Sequence, residues 1–180
     1  MDDPNSNVEV SLRSTTIADK KKIYTWLAQS NLTREMLGAP NFPDCPVPTW
    51  QDFDKDYLDY YLDGSQLQNG CCFIILHHGV DVGQINYNPI NEKTKTTELD
   101  IWLADRQFPG QGIGHIAIKI LCQRLFAQMG CKRFLIEPSA RNQNAVRAYK
   151  KAGFKVVSTI PEDFELDDKD SIVMEMHFPQ

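Results

Sequence analysis

Three glycines at alternate positions, Gly110, Gly112 and Gly114, followed by His115, are the first residues of this chain whose types and spacing imply chemistry. Glycine lets a backbone turn tightly with successive N–H groups pointing inward, and a helix that starts at such a turn adds the positive end of its dipole. Pro109-Gly-Gln-Gly-Ile-Gly114 leads into a long apolar run. The amides from Gly110 through Gln111, Gly112, Ile113 and Gly114 to His115 therefore form a candidate cradle for a pyrophosphate. The same spacing also serves as a plain structural turn. No Lys-Ser/Thr follows, which removes a Walker-type loop, and the loop lies mid-chain after an antiparallel-looking meander, which disfavours a dinucleotide fold. A second stretch, Asn142-Gln-Asn-Ala145-Val-Arg147-Ala-Tyr149-Lys150-Lys-Ala152-Gly153, reads as a helix. Asn142 caps it, Ala145, Tyr149 and Ala152 share one face, and Gly153 ends it. Small residues beside one tyrosine leave room for a ligand, and they equally suit an ordinary helix with Tyr149 packed at its rim.

Other reactive side chains carry less. His77, His78, His115 and His177 include no i, i+4 pair and no third-ligand pattern, so no metal is expected. The cysteines at 45, 71, 72, 122 and 131 are odd in number and their only close pair is adjacent, which fits neither a disulfide framework nor a metal knuckle. They read as reduced, mostly buried thiols. Arg147 and Lys150 are either solvated charge or partners for a ligand's phosphates.

The elements that must position these residues follow from periodicity. Val8 to Arg13 alternates as a strand, a helix runs from Thr16 to about Ser30, and four prolines between 38 and 48 demand a loop. Trp50 to Leu62 recovers helical spacing through Phe53, Tyr57, Tyr60 and Tyr61. Cys71 to Leu76 and Val82 to Tyr87 form a hairpin, Asn88 to Thr96 is a loop, and Glu98 to Leu103 is a strand ahead of the glycine loop. A helix then runs to Gly130, followed by a strand at Arg133 to Glu137, the helix from Asn142, and a final strand pair, Phe154 to Ile160 and Ser171 to Phe178. This order predicts an α/β (α+β) single domain over 1–180: a mixed central sheet of about seven strands flanked by about four helices, with 1–7 a flexible tail. The chain has 180 residues and a net charge of −5 from 19 basic and 24 acidic side chains, which argues against a nucleic-acid partner held by phosphate neutralisation. No apolar run approaches a bilayer span and the N-terminus has no signal core, so a cytoplasmic protein with no membrane partner is expected.

Together the glycine loop and the Asn-x-x-Ala-x-x-x-Tyr-x-Lys-x-Gly-Phe helix resemble the GNAT superfamily of N-acetyltransferases. Glu98-Leu-Asp100, Pro138-Ser139 and Val10-Ser-Leu-Arg13 look most like its aminoglycoside 6'-N-acetyltransferase and siderophore-lysine acetyltransferase branch. Pro109 departs from the superfamily, which often carries Arg or Gln there, so the amides of Gly110 to Gly114 must do more of the diphosphate binding. The resemblance implies acetyl transfer from acetyl-CoA to a primary amine in a ternary complex, by a monomer or homodimer, without a metal. It implies Asp100 as the group that orients the ammonium and takes its proton, main-chain N–H groups near Trp102 and Leu103 at the thioester, and Tyr149 beside the departing sulfur. Asn142, Ala145, Arg147 and Lys150 join the glycine loop around the cofactor. The same chemistry on protein N-termini or lysines is an alternative, as is a non-catalytic acyl-CoA-binding module.

The acceptor is read from charge. Trp50 to Asp63 carries five aspartates against Lys55 alone, and Pro161 to Asp170 adds six carboxylates against Lys169. In the resembled family these segments border the acceptor site, so Asp56, Asp59, Tyr60, Glu98 and Asp100 are expected to meet a polycationic amine through ion pairs and cation–π contacts. The plain reading is a solvated helix face and an acidic turn.

Overall fold

The computed structural model describes residues 9–157 and 170–179. The expected tail at 1–7 and most of the second acidic segment, 161–169, lie outside the described residues. Seven strands form one sheet in the order β1-β2-β3-β4-β5-β7-β6. They are β1 (Val10–Ser14), β2 (Cys71–His77), β3 (Val80–Tyr87), β4 (Thr96–Leu103), β5 (Arg133–Ile136), β6 (Lys155–Val156) and β7 (Met174–His177). All neighbours are antiparallel except β4 and β5.

Helices cover both faces. On one lie α1 (Lys20–Gln29), α2 (Trp50–Asp56) and α3 (Tyr60–Asp63), around a core of Ile23, Tyr24, Phe53, Leu62, Cys72 and Ile74. On the other, α4 (Ile113–Met129) and α5 (Gln143–Ala152) bury Ala117, Ile118, Leu121, Leu125 and Val146 against Phe73, Ile75, Ile85, Tyr87 and Leu99. Arg13 of β1 ties this frame together through two-pronged ion pairs to Asp19 and Asp81, with Lys22 on the same carboxylates.

Trp50 to Leu62 is two helices, not one, which gives five α-helices among the described residues where about four were expected. The cause is remote: the Lys20 ammonium donates to the main-chain carbonyl of Asp54 at 3.1 Å. In a continuing helix that carbonyl would accept from Leu58, whose N–H turns instead to Asp56 at 3.2 Å.

The parallel β4–β5 ladder has only three pairs, Thr96 with Arg133, Thr97 with Phe134 and Glu98 with Leu135, although β4 continues to Leu103. Extending that register by three residues would set Pro138 opposite Ile101. β5 itself ends at Ile136, and the Pro138 carbonyl, two residues on, accepts from Ile172 on the β7 side. The sheet therefore splays at its centre. On the other edge of β4, Gly83 permits an unusually close approach, since a Cβ there would lie 2.6 Å from the Trp102 carbonyl oxygen.

Candidate active site

The splay exposes the main chain of β4, and the β3 ladder determines which groups. Alternate residues of an antiparallel strand turn both N–H and C=O to the same neighbour. Ala104 N–H reaches Val82 O at 2.8 Å and Asn88 N–H reaches Glu98 O at 2.9 Å. Glu98, Asp100, Trp102 and Ala104 thus spend their main-chain groups on β3, while Ile101 and Leu103 turn theirs to the gap. Of the two donors expected there, Leu103 faces the gap and Trp102 does not; Ile101 takes its place.

Side chains follow the opposite rule. Leu99, Ile101 and Leu103 pack with the α4 core, whereas Glu98, Asp100 and Trp102 point to the face of α1 to α3. Asp100 Oδ2 accepts from Asn86 Nδ2 at 3.0 Å and from Asn88 Nδ2 at 3.1 Å. Glu98 lies beside it, 3.4 Å from Asn88 Nδ2. Three phenols feel the Asp100 charge: Tyr57 of the α2 end, Tyr61 of α3 and, from the far side of the sheet, Tyr149 of α5. Burial first and Asp100 second push the Tyr149 hydroxyl well above the ordinary tyrosine range, so it stays protonated. Asp100 is thus the charge common to all three phenols. Gln84 and Asn86, on one face of β3, and Asn88, just past its end, were not among the expected site residues. Their signal in the sequence is polar side chains alternating with the core residues Gly83, Ile85 and Tyr87.

Behind the gap, Gly110 and Gly112 adopt φ of +88° and +83°, and Gly112 is the N-cap of α4. Helix geometry leaves the N–H groups of Ile113, Gly114 and His115 without partners inside α4. A Cβ on Gly110 would meet nothing within 4 Å, and one on Gly114 only the Ile101 Cδ1 at 3.8 Å. Gln111 folds its amide back onto Gln107 O at 2.7 Å. Burial first, then the charges of Lys119 and Lys151, lower the His115 pKa and favour its neutral imidazole. Neither lysine was expected there. Arg147 and Lys150 lie on the exposed face of α5, Arg147 bonded to Asn144.

Asn142 is fully occupied: its oxygen caps α5 on Ala145 N–H at 3.1 Å and its Nδ2 lies 3.3 Å from Glu35 O. It helps fasten the α1–α2 connection, which also holds Arg106 through Glu35 at 2.8 Å and Arg141 through Asp44 at 3.0 Å. Ala145 is half-buried on α5.

On the acceptor side Trp50, Phe53, Tyr57, Tyr61 and Tyr60 stack ring on ring, with centroid spacings of 6.1, 4.7, 5.5 and 4.7 Å. The acidity of this wall is smaller than the sequence count. Lys20 takes both Asp54 at 2.7 Å and Asp59 at 3.4 Å, while Asp52 and Asp63 bond to Thr49 and Ser65. Asp56 is exposed and has no ion pair among the described residues. No group of three or more potential metal ligands occurs among them either, and no described helix is long and apolar enough to cross a membrane.

A family model described as an acetyltransferase (GNAT) domain matches residues 9–155. An aminoglycoside N(6')-acetyltransferase type 1 of Klebsiella pneumoniae is 27% identical over 166 residues, covering 87% of this chain and 79% of its own. The crystal structure of the aminoglycoside acetyltransferase AAC(6')-Ib with coenzyme A superposes with a TM-score of 0.74 at 23% identity, over 94% of this chain and 95% of that one. Spermidine N-acetyltransferase from Vibrio cholerae, with CoA and spermine, gives 0.67 at 17% identity, over 93% and 95%.

Proposed function

The chain belongs to the GNAT family of acetyl-CoA-dependent acyltransferases, and from that premise we propose that it acetylates a primary amine of a small, polycationic molecule. The observation that carries this is Asp100 at the mouth of the β4–β5 splay, beside Glu98, with Tyr57 and Tyr61 on its own face and Tyr149 across the gap.

Acetyl-CoA supplies an acetyl group activated as a thioester. The open amides of Ile113, Gly114 and His115, with the left-handed Gly110 and Gly112, suit its diphosphate, and Lys119 and Lys151 add positive charge there. Arg147 and Lys150 serve the outer phosphates. The main-chain N–H groups of Ile101 and Leu103 face the acyl oxygen, where a preorganised donor does most for the reaction. Asp100 and Glu98 hold the incoming ammonium, and Asp100 takes its proton directly or through water. Tyr149 keeps its proton for the departing sulfur.

Asp56, the exposed rim of the aromatic stack at Tyr60, and Glu98 supply the acceptor's remaining contacts, with Asp59 shared with Lys20. The aminoglycoside and spermidine acetyltransferases among the relatives act on molecules of this kind by name. Thiol release from acetyl-CoA across aminoglycosides, polyamines, lysine derivatives and peptides tests the reading. The acceptor KM should rise with ionic strength and with Asp56→Asn, and less with Asp59→Asn, whose charge Lys20 already offsets. A preferred acceptor that is neutral apart from one amine, with a salt-independent KM, overturns it.

A further inference from the structure

We propose that Asn86 and Asn88 are positioning residues: the pairs Tyr57–Asn86 and Tyr61–Asn88 form two arms that aim amide donors at Asp100 and fix its carboxylate for the amine. The proposal rests on the reading of Asp100 given above.

The argument starts from burial. Asn86 is 2% exposed and Gln84 0%. Amides on a sheet face in contact with a hydrophobic core cost stability unless bonded, and apolar side chains of the same size would pack there at least as well. Their bonds run in one direction. Each asparagine gives its Nδ2 to Asp100 Oδ2, at 3.0 and 3.1 Å, and turns its own oxygen to a phenol: Asn86 Oδ1 to Tyr57 Oη at 3.1 Å, Asn88 Oδ1 to Tyr61 Oη at 3.3 Å. The ionised Asp100 carboxylate only accepts, so it keeps each Nδ2 turned toward it and leaves the amide oxygen for the phenol. A bond from Asn86 Nδ2 to Asn88 Oδ1 at 3.3 Å links the two arms.

Tyr57 has one proton and three acceptors within reach, Asn86 Oδ1, Gln84 Oε1 at 3.2 Å and Cys72 Sγ at 3.7 Å. Gln84 Nε2, meanwhile, is buried without a partner. Gln84 Oε1 already accepts from the Cys72 thiol at 2.9 Å, which leaves the phenol proton for Asn86. The chain of donors runs Tyr57, Asn86, Asp100, with Tyr61 and Asn88 converging on the same oxygen.

A double-mutant cycle tests this, with acetyl-CoA and whichever amine of the panel turns over fastest. Asn86→Leu and Asn88→Leu should each lower kcat/KM for the amine about tenfold or more, with Tyr57→Phe lowering it in the same direction. KM for acetyl-CoA should stay within about twofold and the melting temperature should be unchanged or higher. In an Asp100→Asn background the same substitutions should change kcat/KM by less than about twofold, because their effect passes through the carboxylate. Equal losses in both backgrounds, or losses that track a fall in melting temperature, overturn the proposal and leave the role of Asp100 standing. An Asp100→Asn enzyme of full activity, or a panel without an acceptor, removes the Asp100 reading and this one with it.

Discussion

Replacing Tyr149 by Phe removes one hydroxyl whose surroundings allow the outcome to be worked out in advance. Among the described residues that hydroxyl has no hydrogen-bond partner, while its ring packs against the core and lies 6.3 Å from Phe154. The variant keeps the ring and breaks no bond of the folded protein, so its melting temperature should match the parent's. What it loses is a donor to the sulfur as negative charge develops there. A hydrogen bond to a charged partner contributes about 1.5–3 kcal/mol, so kcat should fall roughly 10- to 150-fold. Binding of acetyl-CoA, in which the sulfur is still neutral, should change little. Stopped thiol-release kinetics give kcat, and calorimetry gives the affinity. Burial and the Asp100 charge raise the phenol pKa, so the donor form persists to higher pH than for a free tyrosine. Parent activity should therefore show no loss from this group up to about pH 10. An undiminished kcat refutes the reasoning. So does a loss of kcat matched by an equal loss of acetyl-CoA affinity, which would make Tyr149 a packing residue.

Gly112→Val places a β-branched residue at φ +83° on the N-cap of α4, and should weaken acetyl-CoA at least tenfold by about 1.4 kcal/mol or more in calorimetry, through both strain and obstruction of the amides. Arg13→Ala leaves Asp19, only 9% exposed, without its two-pronged partner and should cost about 2–3 kcal/mol, a melting-temperature drop of roughly 4–12 °C in scanning calorimetry. Because Arg13 holds Asp19 and Asp81 below the usual carboxylate range, their stabilisation is complete above the unfolded pKa of about 3.9 and is lost as pH falls below it. The Ala variant should show a flatter acid limb.

Much of this was legible in the sequence because it is local. Gly112 and Gly130 bound α4 and Asn142 caps α5, each a signal written within one turn of the chain. The short strand expected at Arg133 to Glu137 is found at Arg133–Ile136, and its shortness beside the longer β4 opens the gap. The break between α2 and α3 had no such signal, since its cause is Lys20 reaching across from α1. The same long-range contact neutralises carboxylates that a count along the segment left unopposed. Asn86 and Asn88 escaped notice for a related reason. Asn86 alternates with core residues of β3 and Asn88 opens the loop expected at Asn88 to Thr96, but which side of a strand faces solvent depends on α2 and α3 folding over it. The identity of the open amides, Ile101 and Leu103, required the ladder's parity, which a sequence does not carry.

The splay has one more consequence, for anyone who would stabilise this protein. A sheet normally has two edges, and this one has a third inside it, where Ile101 and Leu103 present main-chain groups to the gap. Zipping β4 onto a longer β5 would satisfy those groups and add ladder bonds, so any screen for thermal tolerance will favour it. The same change would close the seam through which the two faces of the sheet communicate. On the proposed function, stability and turnover compete for a single pair of amides.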